Sequence, residues 1–432
     1  MSGTVTDSRP FDPIGAVTGH RPGGAGGGRG GGSPGRRLLL RAWPVALFAL
    51  LFVLPYSAVE VPGLLDGPVG SPGSLQLLSL CLLFGALASG YDLLLGRTGL
   101  LSFGHALYFA AGSYATNIVM RESGLPFALS AVLGLVFGVA LALVLGSVSL
   151  RVTGIGFSMV TLAFAQAASI LVSRDPGGRT GGEEGRAVDA DRLPPALVGI
   201  GNTANLYWIT LAFLALTLAV VHWTTHSPTG RVWEGIRENE RRVEVLGLRP
   251  YGFKLVAFVV AGGLAALGGV VHLLLTGGST PHTTSSDFTL SLLVMVVLGG
   301  SGTRWGPMLG GILYTWADQR LGDVANSAAV AGLPGVLRVP LSQPLFLLGV
   351  LFVVVVGVLP GGLAALPGRV RAARASSSAR RGDGDAGAGA PDNDGREVPR
   401  AGGPGPDGAP PGATAPVPPP GSPSETTERR TP

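Results

Sequence analysis

ANLYWITLAFLALTLAVVHWTTHSPTGRVWEGIRENERRVEVLGLRPYGFKLVAFVVAGGLAALGGVVHLLL, residues 204–275, is the stretch that decides the fold. It opens and closes on apolar runs, 204–223 and 254–275, each close to the ~20 residues that a helix needs to cross a bilayer. Between them lies Ser227–Lys254, the longest polar stretch inside the apolar part of the chain. Ser227 followed by Pro228 is a helix start, with proline at the first helical position. Val232, Ile236, Val243 and Leu246 fall near one side, while Arg237, Glu238, Glu240, Arg241, Arg242 and Glu244 cover most of the rest. Gly247 is placed to end the helix, and Pro250 opposes its continuation. The segment reads as an amphipathic helix held at the cytoplasmic face between two membrane spans. Such a helix either docks in a groove of another protein or lies in the headgroup layer, and the residues alone leave both open.

Outward from this stretch the composition agrees. Of 432 residues, 46% are apolar and 13% charged, against about 25% charged in ordinary soluble domains. The mean hydropathy is +0.43. A soluble domain of this length has too few charges to cover its surface. The expected fold is therefore an all-α integral membrane protein, a polytopic bundle of about ten segments: 38–56, 74–95, 99–120, 126–150, 152–172, 204–223, 254–275, 287–303, 306–320 and 343–360. The fifth, eighth and ninth are short or interrupted by glycine and are expected to include half-helices that enter and return. Many of the 70 glycines and 34 prolines cluster at the two ends. Residues 1–35 and 368–432 are expected to be disordered tails flanking a membrane domain over 36–367, because neither end buries enough apolar surface to offset its ordering entropy.

Charge sets the expected orientation. The first apolar run begins at Leu38, behind Arg36 and Arg37, and no small-residue cleavage site follows it, so it reads as an uncleaved first helix. With the N-terminus inside, Arg97, Arg151, the arginines of 224–253, Arg304 and the C-terminal tail are cytoplasmic, and the outer loops 57–73 and 276–286 carry no Lys or Arg. Both termini are then cytoplasmic. The outer loop 173–203 runs against the rule with Arg174, Arg179, Arg186 and Arg192. The sequence pI near 9.8 reflects this membrane-flanking arginine; no folded basic face with interleaved aromatics suggests a nucleic-acid partner.

Lys254 is the single lysine of the chain, and no Gly-rich turn ending in Lys-Ser or Lys-Thr contains it. The chain thus has no phosphate-cradling loop, and any ATP-driven work must come from a partner. Cys81, alone, forms no intrachain disulfide. His222 and His226, one helical turn apart, lack a third ligand nearby and read as an interfacial pair, so no metal and no cofactor are expected. No nucleophile–base–orienter set marks an enzyme. Asp92, His105, His272 and Asp318 are ionisable groups inside apolar segments and hence functional suspects. Being scattered, they do not form the carboxylate relay of an ion-coupled secondary transporter, which is the alternative function. Ser102 and His105 on the third segment, and Ser158, Thr161 and Gln166 on the fifth, form polar faces suited to a translocation path. Interhelical hydrogen bonding explains the same hydroxyls. Ala261, Ala265 and Gly269, four apart, read as a helix-packing stripe.

The run GRVWEGIRENERRVEVLGLRPYGFKLVAF (230–258) resembles the cytoplasmic coupling segment of permeases in the branched-chain amino acid ABC transporter family, the LivM-like branch. YDLLLGRTGLLSFGHALYFAAGSYAT (91–116), RVTGIGFSMVTLAFAQ (151–166), TGGEEG (180–185) and MVVLGGSGTRWGPMLGGILY (295–314) are similar to further stretches of that family, in the same order. The resemblance implies a cell-membrane subunit that works with a sister permease, two cytoplasmic ATP-binding subunits and an extracytoplasmic solute-binding protein. It implies import of branched-chain amino acids, or of urea, an amide or another small polar solute, by alternating access. It also implies that the glycine-terminated helix inserts into the ATPase, with Arg237, Glu238, Asn239, Glu240, Glu244 and Gly247 at the contact. Arg242 and Val243 depart from the small alanines usual there.

Overall fold

Residues 47–57, 59–60, 67–325, 338–340, 343–358 and 361–365 are described in the computed structural model. The expected tails, 1–35 and 368–432, lie outside the described residues. The helices follow in order: α1 (Leu47–Tyr56), α2 (Pro72–Asp92, prolonged by a π-helical turn, Leu93–Thr98), α3 (His105–Ser123), α4 (Phe127–Ser149), α5 (Ile155–Arg174), α6 (Thr203–His226), α7 (Pro228–Val245), α8 (Pro250–Thr276), α9 (Ser286–Gly299), α10 (Gly306–Ala325) and α11 (Pro344–Val358). Each of the ten expected segments holds a helix, and α7 is the amphipathic one. Among the described residues, five helices are long and apolar enough to cross a membrane: α2 with its extension, α4, α5, α6 and α8. The expectation of a broken fifth segment is corrected. Gly154 (φ +60°) precedes α5 and Gly156 sits in its first turn, so the 20-residue helix runs unbroken. The eighth segment is short, as α9 has 14 residues and ends at the Gly299–Gly300 turn.

α2 and α8 form the centre, 78% and 72% buried over their most apolar windows, against 22% for both α4 and α5. α2 packs on α6, α8, α9 and α10, and α3 packs on α4 and α8. The packing logic is that of a membrane bundle, where close approach of small residues replaces the hydrophobic effect between helices. α4 shows it most plainly. Its buried residues are Ser130, Gly134, Gly138, Ala142, Gly146 and Ser149, nearly a pure four-residue repeat, while Val132, Val136, Phe137 and Val144 face outward. α3 and α8 meet at a similar contact. A Cβ on Gly112 would lie 2.0 Å from the Ala266 carbonyl oxygen, and one on Gly269 would lie 1.9 Å from that of Phe109. Gly269 therefore has the packing role its spacing suggests.

The long connection from α5 to α6 is ordered by its own charges. Asp175 accepts backbone N–H bonds from Arg179 (2.7 Å), Thr180 (2.9 Å) and Gly181 (3.0 Å). These donors, that of Thr180 foremost, hold its carboxyl below the usual carboxylate range. Strand β1 (Arg186–Ala187) pairs antiparallel with β2 (Gly278–Ser279) beyond α8. The arginines that run against the charge rule are engaged here. Arg179 pairs with Glu122 at 3.2 Å, and Arg192 pairs with Asp189 at 3.1 Å and donates to the Met120 carbonyl at 2.6 Å.

Candidate functional site

The amphipathic segment is built from its start. Ser227 Oγ accepts the Gly230 N–H at 3.3 Å and Pro228 occupies the first turn, as the sequence predicts. Trp233 is fully buried, and its Nε1 donates to the Phe253 carbonyl at 2.8 Å, which fastens α7 to the first turn of α8. Ile236 and Val243 are buried beside it. The expected single helix is corrected at Asn239, whose backbone is extended (φ −162°, ψ 102°). Its Oδ1 accepts the Arg242 N–H at 3.0 Å, so Asn239 caps a second helical piece. The break also corrects the expected apolar side: Val243 stays buried, but Leu246 points away and is 74% exposed.

The end is the Gly247 stop read from sequence. Gly247 has φ +83°, a conformation costly for residues with a Cβ. Its N–H donates to the Glu244 carbonyl at 2.9 Å, and the Leu248 N–H donates to that of Val243 at 3.3 Å, the paired bonds of a Schellman cap. Val245 and Leu246, just before this turn, form an apolar tip that the described residues leave uncovered.

Charged contacts tie the segment to the bundle. The Arg237 guanidinium donates to the Gly96 carbonyl at the end of the α2 extension. Beside it, the Gly302 N–H in the α9–α10 turn donates to the buried Asp92 carboxylate at 2.8 Å. Arg97 pairs with Glu234 at 2.9 Å. Lys254, 7% exposed, pairs with Glu240 at 2.5 Å. Of the six residues expected at a partner contact, Arg237, Glu238, Asn239, Glu244 and Gly247 are exposed and Glu240 is half-buried; Arg237 and Glu240 also bond to their own chain. Trp233, which fastens the segment, and Val245 and Leu246, which form its exposed tip, are not among those six. Lys254 carries a sequence signal, since it is the one lysine of the chain.

The structure brings four of the five expected path residues together, at the junction between Gly99 and α3. Ser158 Oγ donates to the Leu101 carbonyl at 2.6 Å. Thr161 Oγ1 accepts the Phe103 N–H at 3.1 Å and donates to the Ser158 carbonyl at 2.9 Å. The Ser102 carbonyl accepts from the Tyr91 hydroxyl at 2.8 Å, and His105, fully buried, has its ring 4.9 Å from that of Tyr91. Here the hydroxyls clamp a loop onto α5, the interhelical role. Gln166 is exposed, apart from this cluster.

The other ionisable suspects sort into two cavities. Asp92, Arg97, His222 and Arg304 line one of about 350 Å³ between α2, α6 and the α9–α10 turn. Arg304 reaches both histidines of the i,i+4 pair, His226 Nε2 at 2.6 Å and His222 Nδ1 at 3.4 Å. Among the described residues no group of three or more His, Cys, Asp or Glu side chains is arranged for a metal. His272 and Asp318 line the second cavity, of about 310 Å³, with α2, α9 and the turn before α9. Because α8 runs away from α7, this cavity lies towards the opposite end of the bundle from α7.

The permease of the high-affinity branched-chain amino acid transport system of Escherichia coli, LivM, is 27% identical over 279 residues, covering 59% of this chain and 64% of the relative. Its Salmonella typhimurium counterpart is 26% identical over the same length. The autoinducer 2 import permease LsrC of Yersinia pseudotuberculosis is 28% identical over 210 residues, 45% of this chain and 57% of the relative. The chain thus spans less than two thirds of the length of these relatives. No solved structure matches. The profile of the branched-chain amino acid transport system permease component covers residues 73–356, from the first turn of α2 to the last turn of α11, and the chain belongs to that family of transport permeases.

Proposed function

We propose that this chain is the membrane permease subunit of an ATP-driven ABC importer that passes branched-chain amino acids, or a related small polar solute, through the cell membrane by alternating access. The observation that carries the reading is a helix fastened on one side and uncovered at its tip. Trp233, Arg237 and Glu240 bind α7 to α8, to the α2 extension and, through Gly96 and Gly302, to the α9–α10 turn. A displacement of the Val245–Leu246 tip is therefore delivered to α2 and α8, the two central helices of the bundle. The force comes from two cytoplasmic ATP-binding subunits, consistent with a single lysine that sits in no phosphate loop. A sister permease completes the path, and an extracytoplasmic binding protein delivers the solute. In this reading the ten segments all span or enter the bilayer, with α7 and both termini cytoplasmic.

The test uses Leu246→Asp, a substitution at an exposed position outside the helix-to-bundle contacts, and Gly247→Val, which opposes the left-handed turn. Tagged permease is purified with its ATPase subunits from membranes. Both variants are expected to insert normally and to lose ATPase association and uptake. Undiminished co-purification and uptake in both would overturn the docking role.

A further inference from the structure

The cavity at the end of the bundle remote from α7 has no part in the coupling geometry, yet it is built like a binding site. Two of the residues that line it, His272 and Thr315, are polar yet only 8% and 5% exposed. Polar side chains placed in an apolar interior are costly unless they are paired, so a cavity walled by them suits a polar occupant. At about 310 Å³ the space lies at the small end of the ~300–1,000 Å³ range of ligand pockets.

The wall gives the chemistry of that occupant. Thr276 Oγ1 donates its proton to the His272 carbonyl at 2.8 Å, and Thr283 Oγ1 donates to that of Thr280 at 2.7 Å. Their oxygens are left as acceptors. The Asp318 carboxylate adds a charged acceptor, with His282 of the same wall in electrostatic reach. A wall so rich in acceptors suits a cation that donates several hydrogen bonds, which a primary ammonium does. The imidazoles of His272 and His282 are the matching donors for an anion. Leu80, Phe84, Phe288 and Met295 close the remainder with apolar surface.

We infer that this cavity is a transient binding site for a small aliphatic α-amino acid, its ammonium held by Asp318, its carboxylate by His272 and His282, and its side chain by the Phe84–Phe288 wall. The inference rests on the importer reading for the solute but not for the site, which is defined by residues away from α7. Full-length permease, free of ATPases, is reconstituted in lipid nanodiscs and titrated with tritiated L-leucine. Saturable binding is expected, with isopentylamine competing and 4-methylpentanoate failing to compete. Asp318→Asn is expected to weaken binding at least about tenfold, the lower bound for a lost charge-assisted hydrogen bond, with Asp318→Glu recovering part of it. In a second measurement Ser291→Cys, beside Tyr314 on the same wall, is labelled with a methanethiosulfonate reagent, and leucine is expected to slow the labelling. Absent leucine binding, equal affinity in Asp318→Asn, or unprotected labelling overturns the site. If ATPases co-purify while these fail, the importer reading stands alone. If leucine binds through Asp318 while no ATPase associates, the site stands and the importer reading falls.

Discussion

Glu240→Gln tests how α7 is seated. The substitution keeps the shape of the side chain and removes the charge opposite Lys254 Nζ, which lies 2.5 Å away. The lysine side chain is only 8% exposed, so its ammonium loses its partner in a place where water offers little replacement, whereas Glu240 is 37% exposed. Removing one partner of a fully buried pair costs about 3–5 kcal/mol, and an exposed pair contributes about 0–1 kcal/mol. One buried and one half-exposed member place this pair near ~2 kcal/mol. That amount lowers the equilibrium constant for seating the second helical piece of α7, and hence its exchange protection, by roughly 30-fold. Hydrogen–deuterium exchange of the amides of residues 241–246, in the full chain in nanodiscs, reads this opening directly. The Arg97–Glu234 pair supplies the comparison. It is equally well formed at 2.9 Å, but Glu234 is 57% exposed, so Glu234→Gln is expected to cost under about 1 kcal/mol and to change protection less than about fivefold. Adding Lys254→Met to Glu240→Gln removes the stranded ammonium and is expected to restore most of the protection. Wild-type protection in Glu240→Gln, or equal losses in the two single variants, would refute the buried-pair argument.

Two further expectations concern packing and pH. Gly269→Ala puts a methyl group 1.9 Å from the Phe109 carbonyl oxygen and is expected to cost about 1–3 kcal/mol and lower the melting temperature, while Gly252→Ala, with nothing within 4 Å of the new carbon, is expected to be neutral or to stabilise α8 by up to about 1 kcal/mol; thermal unfolding in detergent that shifts both the same way contradicts the packing account. The Asp175 carboxyl is held below its usual range by backbone N–H groups, Thr180 first, so its contribution to loop order is complete above the ordinary carboxylate pKa and is lost as pH falls through the lower, folded value. Limited proteolysis of the 176–185 segment is expected to stay slow at mildly acidic pH and to rise at neutral pH in Asp175→Asn; cleavage at one rate in both proteins at neutral pH removes the clasp.

Much of the fold is legible in the chain because membrane helices announce themselves by length and apolarity. The ten apolar segments each contain a helix, and the capping grammar of α7, Ser227–Pro228 at its start and Gly247 at its end, is realised bond for bond. The break at Asn239 was hidden because one asparagine among charged residues does not disturb a helical pattern, although its capping ability is a known signal. The small-residue row of α4 from Gly134 to Gly146 was equally visible, but a stripe of small residues shows that a neighbour approaches and not which one.

The candidate site divides along a similar line. Local order and composition determined the membrane character, the amphipathic segment, its glycine stop and the absence of a phosphate loop, since each depends on residues near in sequence or on the whole inventory. Only the tertiary structure decided which charges stay free of the bundle and which bond to the chain itself. Arg237 and Glu240 share a segment with Glu238 and Glu244, yet the first two are claimed by Gly96 and Lys254, 141 and 14 residues away. The same holds for His272 and Asp318, which read as scattered along the chain and share one cavity in space. A charge acquires its role from what lies within a few ångströms, and in a bundle whose helices meet through glycine, that neighbourhood is set by how closely the backbones can approach.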